Sequence, residues 1–552
     1  MRLSPKSVEW ALAGLALGYF GYFVAVQIPD IPNTWILEWD TRATSLPAWR
    51  YHDTGLFPND LIVDYMGAFY GTPGWALLFW VGTLFTDPLT LTKILPLFAL
   101  AVVVWQGGAF GYRRFGPAGF AVSVVMLVST YWIWFRLLGF NSRGFGFPLL
   151  CAFVRYADAK AEKRVLATLF IAALSYPSVL LLMGPAYGLL LLAQRAPRVA
   201  WVRLVAVGVL CFGVMARQMF FPDPRVGRPP TYEQAATLRQ MGPGSNQPFY
   251  PLASAREFLM PVVDGFFQTA GKPVWKKAQK RLQKHPIVYA SVFGAALLLL
   301  ARRRARNLPL VFAATLVSAI VMYVVIRAVA YRLYLPDRPL TFAYPVALAL
   351  GFPVLAYEAF SRLTQKWAGS LAAVTVAGFF LLMRGNGVVP PEKSMPDYSA
   401  WNTPVLGFVR SLPKDSLIVA LPEQSSVIAA YAQRSTLFSM HSNTPFFYQF
   451  ALEMEARFEE FYRAFYGTSW EPFRKLRDER GVTHVVYNEA DFGPQAIPRS
   501  RYAQPWSSLN ARLILASRPD EKVLKNPPPE VVVYRANGEI VVDLRRIPAD
   551  AK

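Results

Sequence analysis

The chain has 552 residues, 54% of them apolar and only 17% charged, with a formal net charge of +22. A soluble globular surface needs about a quarter charged residues, so the composition excludes an ordinary soluble protein of this size. The positive charge does not indicate nucleic acid, because the basic residues sit between apolar runs rather than along one soluble face.

Uncharged runs recur at 10–27, 94–111, 117–135, 308–326 and 340–357. A helix of roughly 18 or more apolar residues crosses the hydrocarbon core and satisfies its own backbone there. The first run follows Arg2 and Lys6 without a small-x-small cleavage pattern, so it reads as an uncleaved span. Spans are predicted at 8–27, 89–111, 117–135, 144–157, 165–176, 178–194, 201–219, 286–301, 308–327, 340–358 and 367–384. This count of about eleven puts every short basic loop on the cytoplasmic side, with the N-terminus. Those loops hold Arg113 and Arg114, Lys160 to Arg164, Arg195 to Arg203, Arg302 to Arg306, and Arg362 to Lys366. Pro73 to Phe85 is too short for a crossing and is predicted as a re-entrant or interfacial helix.

The fold class is therefore a polytopic α-helical membrane protein with a C-terminal external α/β soluble domain. Residues 1–385 form the membrane domain, with external loops 29–86 and 221–285, and 386–552 form the soluble domain. In that tail Ser416 to Ala420 and Thr483 to Tyr487 read as β-branched strands. Tyr448 to Arg480 between them reads as one helix, with Leu452, Met454, Phe458, Phe461 and Phe465 as its apolar face. Cys151 and Cys211, both within predicted spans, make no disulfide framework. The cysteine-poor, arginine-rich composition suits a bacterial inner membrane, with the C-terminal domain periplasmic or extracellular.

Chemistry concentrates in the first external loop, which carries Glu38, Trp39, Asp40, His52, Asp53, Asp60 and Asp64. Surface loops are polar without being functional, and interfacial aromatics explain part of the pattern. A second cluster holds Arg332, Asp337 and Arg338, on the same side as Arg136 and Arg143. Such arginines commonly snorkel to lipid headgroups. The sharper reading is a clamp for phosphate or pyrophosphate, because guanidinium offers a planar fork of donors. No Walker loop, His-Glu-x-x-His pair or paired-cysteine motif occurs, and four histidines make a histidine-built metal centre improbable.

This layout resembles the GT-C superfamily of membrane glycosyltransferases, which includes oligosaccharyltransferase, the protein O-mannosyltransferases and the lipid A aminoarabinose transferases. The resemblance rests on Glu38-Trp39-Asp40 just after the first span, the interfacial segment Pro73 to Phe85, basic turns such as Tyr112-Arg113-Arg114-Phe115-Gly116, and the external tail. It covers most of the chain as architecture rather than as a specific motif.

The resemblance implies a donor sugar on a polyprenyl phosphate, with a glycan, lipid or protein acceptor and membrane lipid as partners. It implies Asp40 as general base, with Asp53 beside His52 as second choice and Glu38 nearby. Asp60 and Asp64 are further loop carboxylates. Arg332 and Arg338, joined by Arg143 and Arg136, would stabilise charge on the departing phosphate. The second external loop, Arg136 to Phe147, lacks the acidic metal ligands of oligosaccharyltransferases, which favours the metal-independent branch and no cofactor. Two alternatives differ in class: a non-catalytic assembly subunit or lipid carrier that keeps this fold, and a secondary transporter. The lack of repeated halves weighs against the transporter.

Overall fold

A computed structural model describes residues 4–220, 223–242, 309–329, 337–351, 395–493 and 503–548, with a few isolated positions besides. Arg332, the span expected at 286–301 and nearly all of that at 367–384 lie outside the described residues.

The first helix, Pro5–Gln27, is opened by Ser4, whose hydroxyl accepts the Ser7 amide, and by Pro5, which needs no amide partner in a first turn. It packs along the helical stretch Pro88–Ser129. That stretch is a hairpin, because Phe115 and Gly116 leave helical angles and Gly116 adopts φ +64°. Gly111 and Gly119 let the two arms touch backbone to backbone, and Gly108 faces Phe120. Small residues permit this close approach where lipid supplies no hydrophobic drive. The two arms correspond to the spans expected at 89–111 and 117–135. The second arm stops at Ser129, where extended Thr130 separates it from the short helix Tyr131–Leu137.

Gly146–Asp158, Glu162–Ser175, Pro177–Ala193, Arg198–Phe220, Leu310–Ala328 and Arg338–Val346 follow as helices. Among the described residues, four helical stretches are long and apolar enough to cross a membrane: Pro5–Asp30, Pro88–Ser129, Arg198–Ala216 and Leu310–Ala328. Phe110, Leu127, Phe147, Tyr323 and Leu350 fill the core of the bundle. Leu15, Trp105, Val205 and Val321 project outward as exposed apolar side chains, as lipid contact requires. The chain is an integral membrane protein.

The interfacial segment forms the helix Pro73–Gly82. Trp75 fastens it inward by donating its indole N–H to Phe140 O at 3.1 Å. Trp80 on this helix, and Leu84 and Phe85 just after it, remain exposed.

The C-terminal part holds a five-stranded sheet in the order β2-β1-β3-β5-β4. The strands are β1 Leu417–Val419, β2 Ser435–Thr436, β3 His484–Asn488, β4 Val532–Ala536 and β5 Glu539–Asp543. β1 pairs in parallel with β2 and β3, and β5 pairs antiparallel with β3 and β4. β1 and β3 fall on the two strands expected from sequence. The single helix expected over 448–480 is two, Tyr448–Phe465 and Glu471–Arg480. Gly467 interrupts it, and Pro472 supplies a new first turn. Leu452 is exposed, whereas Met454, Phe458, Phe461 and Phe465 are buried as the spacing implied.

The first loop belongs to the same apolar core as this sheet. Ala43, Leu61, Ile62, Tyr65 and Met66 cluster with Phe450, Phe458 and Tyr487. Tyr65 stacks on Phe450 at 3.7 Å and donates its hydroxyl to Thr444 O at 2.7 Å. Arg42, wholly buried, pairs with Glu423 at 2.7 Å and lies between the rings of Trp39 and Tyr398.

Candidate functional site

Asp40 and Glu38 flank Trp39 just before the one-turn helix Thr41–Thr44. Glu38 is fixed by its own turn: its Oε2 accepts the Thr41 amide at 3.1 Å and the Thr41 hydroxyl at 3.2 Å. Gly139 closes over this turn at φ +72°, and a Cβ there would fall 2.8 Å from Glu38 Oε2. Only glycine meets both conditions.

Arg143 enters from the loop between the helices Tyr131–Leu137 and Gly146–Asp158. Asn141 begins that short helical turn by accepting the Arg143 amide at 3.1 Å. The guanidinium then forks: Nη1 lies 2.9 Å from Asp40 Oδ2 and Nη2 3.3 Å from Glu38 Oε1. The two carboxylates differ in access. The Glu38 side chain is 8% exposed and that of Asp40 30%, so Asp40 is the one a substrate can reach.

Their protonation differs as well. Burial, reinforced by the Asp40 charge and opposed by Arg143, pushes the Glu38 carboxyl up to about 7. Burial also works to raise Asp40. The charge and hydrogen bond of Arg143, with Arg338 contributing, outweigh it and hold Asp40 below the usual carboxylate range.

Arg136 and Arg338 complete a basic cluster around the pair. Burial, then repulsion from Arg338 and Arg143, pulls the Arg136 guanidinium down to about 9, so it stays charged at neutral pH. Arg136 lies over Trp132 and Phe135, with ring centroids at 5.4 and 5.8 Å. Arg136 Nε, Arg143 Nε and Arg338 Nη1 are buried without a hydrogen-bond partner among the described residues. Buried cationic donors in this state are costly unless an anion meets them.

The other residues expected from sequence stand apart. Asp53 caps the helix Leu46–His52 on the surface and pairs with Lys414 at 2.6 Å. The exposed His52 has its Nδ1 3.5 Å from Thr83 O. Asp60 caps the helix Leu61–Tyr70 by accepting the Ile62 and Val63 amides. Asp64 joins Arg50 and Arg225 at 2.6 and 2.7 Å, tying the loop to the segment after the helix Arg198–Phe220.

Tyr70 was not singled out from sequence, yet its hydroxyl lies in the field of Asp40, Arg143, Arg338 and Glu38. Burial, then the Asp40 charge, pushes its phenol well above the ordinary value. In sequence it was one more interfacial aromatic, and only the end of the helix Leu61–Tyr70 at Gly71 hinted at its placement.

A divalent cation does not suit this set. Among the described residues no group of three or more His, Cys, Asp or Glu side chains is poised to hold one. The two carboxylates at hand already share a guanidinium. The arrangement sets buried guanidinium donors beside a partly exposed carboxylate.

No protein-family model matches the sequence, and no curated protein matches it. Solved structures do. ArnT from Cupriavidus metallidurans bound to undecaprenyl phosphate aligns with a TM-score of 0.50 at 13% identity, covering 96% of this chain and 98% of that one. The apo state of the same protein aligns at 0.46 and 12% identity, over the same shares. The Archaeoglobus fulgidus oligosaccharyltransferase in complex with Zn and sulfate aligns at 0.43 and 13% identity, covering 91% of this chain and 70% of that one. Near-complete coverage in both directions makes the likeness to ArnT one of whole architecture, and this chain has the GT-C fold to which its loop order pointed.

Proposed function

We propose that this protein is a membrane glycosyltransferase that moves a sugar from a polyprenyl-phosphate-linked donor to an acceptor hydroxyl at the external face of the membrane. The observation that carries the reading is Arg143 bridging a buried Glu38 and a reachable Asp40 beside buried guanidinium donors that lack partners. The ArnT structure holds undecaprenyl phosphate, and a phosphate of that kind suits the donors of Arg136, Arg143 and Arg338. Arg332, expected from sequence to join them, lies outside the described residues.

In the proposed reaction the acceptor oxygen attacks the anomeric carbon. A new C–O bond forms as the bond to the phosphate oxygen breaks, and the electron pair leaves with the polyprenyl phosphate. Asp40 Oδ takes the acceptor proton. A carboxylate held below its usual range is ionised when the acceptor binds, and it becomes a competent base as the attacking oxygen grows acidic along the path. The arginines stabilise the charge gathering on the departing phosphate without reorganising. Glu38 is a positioning group that aims Arg143. The span count of about eleven, the external placement of the loop and sheet, and the division of the chain near residue 385 belong to this proposal.

The test is transfer from a panel of radiolabelled undecaprenyl-phosphate sugars by detergent-purified protein, with Asp40→Asn alongside. Transfer lost by about 10²-fold or more with lipid binding retained supports a base at Asp40. Binding of the lipid without turnover by the parent would move the non-catalytic carrier reading ahead.

A further inference from the structure

Arg42 stands two residues beyond Asp40, in the one-turn helix Thr41–Thr44 that the site carboxylates lead into. Asp40 opens that turn through its backbone. Its carbonyl accepts the Ala43 and Thr44 amides at 3.1 and 2.9 Å, and its carboxylate makes no cap hydrogen bond. Where the carboxylate starts from is therefore set by where the turn sits.

The sheet domain holds the turn at several points. Tyr398 donates its amide to Trp35 O at 2.8 Å, and Leu37 donates its own to Pro396 O at 3.1 Å. Ile36 and Asp397 thus form an antiparallel bridge two residues before Glu38. Glu423, in the first turn of the helix Pro422–Val427, meets Arg42 Nη1 at 2.7 Å. The Arg42 guanidinium carbon lies 4.5 Å from the Trp39 ring centroid and 4.3 Å from that of Tyr398. Trp39 separates Glu38 from Asp40, and His441, on the short turn Met440–Ser442, packs against it with ring centroids 5.3 Å apart. Arg42 thus stacks on the neighbour of the base while it is braced on the sheet domain.

Adhesion does not account for a charge at this point. Arg42 is wholly buried, and its Nε and Nη2 have no hydrogen-bond partner among the described residues. A buried guanidinium with one ion-pair contact is costly, and an apolar side chain of similar volume often serves stability as well or better. Ala43, Leu61 and Ile62 already join the loop to the sheet domain through apolar contacts. What a planar cation adds is direction, because it stacks face-on to a ring while its in-plane donors meet a carboxylate in a fixed geometry.

We propose that Arg42 is a positioning residue that acts through Trp39. Stacked on that ring and braced on Glu423, it fixes the turn from which Asp40 takes the acceptor proton. The inference rests on the glycosyltransferase reading above and on Asp40 as its base.

The experiment separates a misplaced base from protein that is merely less folded. Full-length, detergent-purified protein divides radiolabelled undecaprenyl-phosphate sugars between water and added azide. Water must lose a proton to a base as it attacks the anomeric carbon. Azide has none to lose: its nitrogen forms the new bond as the bond to the phosphate oxygen breaks, and the electron pair leaves with the polyprenyl phosphate. The ratio of glycosyl azide to free sugar does not depend on how much protein is folded. Asp40→Asn should raise it most. Arg42→Met and Arg42→Lys should each raise it by about fivefold or more, since moving a catalytic group by the order of an ångström costs up to about 10²-fold. Loss of charge alone would lower the ratio in Arg42→Met, by drawing less azide to the site. A ratio less than about fivefold above the parent's in either variant overturns the proposal, whatever happens to total turnover. Where neither Arg42 variant folds, Glu423→Gln, at a partly exposed position, decides on the same threshold. An Asp40→Asn ratio equal to the parent's removes the base and this proposal with it, leaving sugar transfer standing. A parent that consumes no donor with either nucleophile overturns the glycosyltransferase reading as well.

Discussion

Arg143 and Asp40 form the shorter of the two ion pairs that join the loops making the site, at 2.9 Å between Nη1 and Oδ2. The same guanidinium holds Glu38, so its two ends do different work. One end sets a buried carboxylate, and the other sets the orientation of a carboxylate that substrate can reach.

Removing that fork leaves Glu38 and Asp40 as close like charges without compensation. Arg143→Met should lower stability by about 3–5 kcal/mol, the usual consequence of breaking one side of a buried pair. Arg143→Lys keeps the charge but not the planar fork, and it should retain folding while losing most transfer. Thermal unfolding beside transfer assays checks both, and full activity in the Lys variant would count against the fork.

Glu38 makes stability depend on pH in a definite direction. Its carboxyl is raised from 4.5 to about 7 in the folded chain, chiefly by burial, so the folded state binds the proton more tightly than the unfolded one. The contribution is complete below about 4.5 and is lost as pH climbs through about 7. Glu38→Gln, which cannot ionise, should therefore gain stability relative to the parent between pH 5 and pH 7.5. Melting temperatures of the two proteins across that range decide it, and a constant difference would mean that Glu38 is ionised throughout.

Arg136 should trade stability against binding. Its guanidinium is pulled down from 12.5 to about 9 by burial and by two neighbouring arginines, so at neutral pH its charge opposes folding. Arg136→Met should raise the melting temperature while weakening undecaprenyl phosphate binding by about tenfold, the scale of one charge-assisted hydrogen bond. Weaker binding without added stability would mean that Arg136 has a counter-charge in the unliganded protein.

Asp53 and His52 should matter little. The Asp53–Lys414 pair is exposed, at 37% and 52% of the two side chains, and such pairs contribute less than about 1 kcal/mol. Asp53→Asn and His52→Ala should keep transfer within about twofold and stability within about 1 kcal/mol. Loss of transfer in Asp53→Asn with folding intact would return the base assignment to that residue.

The sequence made the helices legible because hydrophobic length is a one-dimensional signal. The arms around Gly116, the short helix at Pro73 and strands β1 and β3 all fall where local pattern placed them. Glu38 and Asp40 were visible because they follow the first long helix directly. Their meeting with Arg143 across more than a hundred residues was legible only as loops on one side of the membrane. Tyr70 and His441 carried no signal, since one aromatic among many and one histidine on a short turn look the same wherever they fold. Asp60 and Asp64 stood out in sequence as loop carboxylates, and in the fold one caps a helix and the other pairs with Arg50.

Tyr65 on Phe450 and the buried Arg42–Glu423 pair have a consequence for anyone recombining this protein with a relative. The loop bearing Asp40 is moored to the sheet through side chains nearly four hundred positions away. A chimera cut between membrane and sheet would sever half of a shared core and leave Ala43, Leu61, Ile62 and Met66 facing a stranger. The unit that can be exchanged is discontinuous in sequence: the first loop and the sheet must travel together.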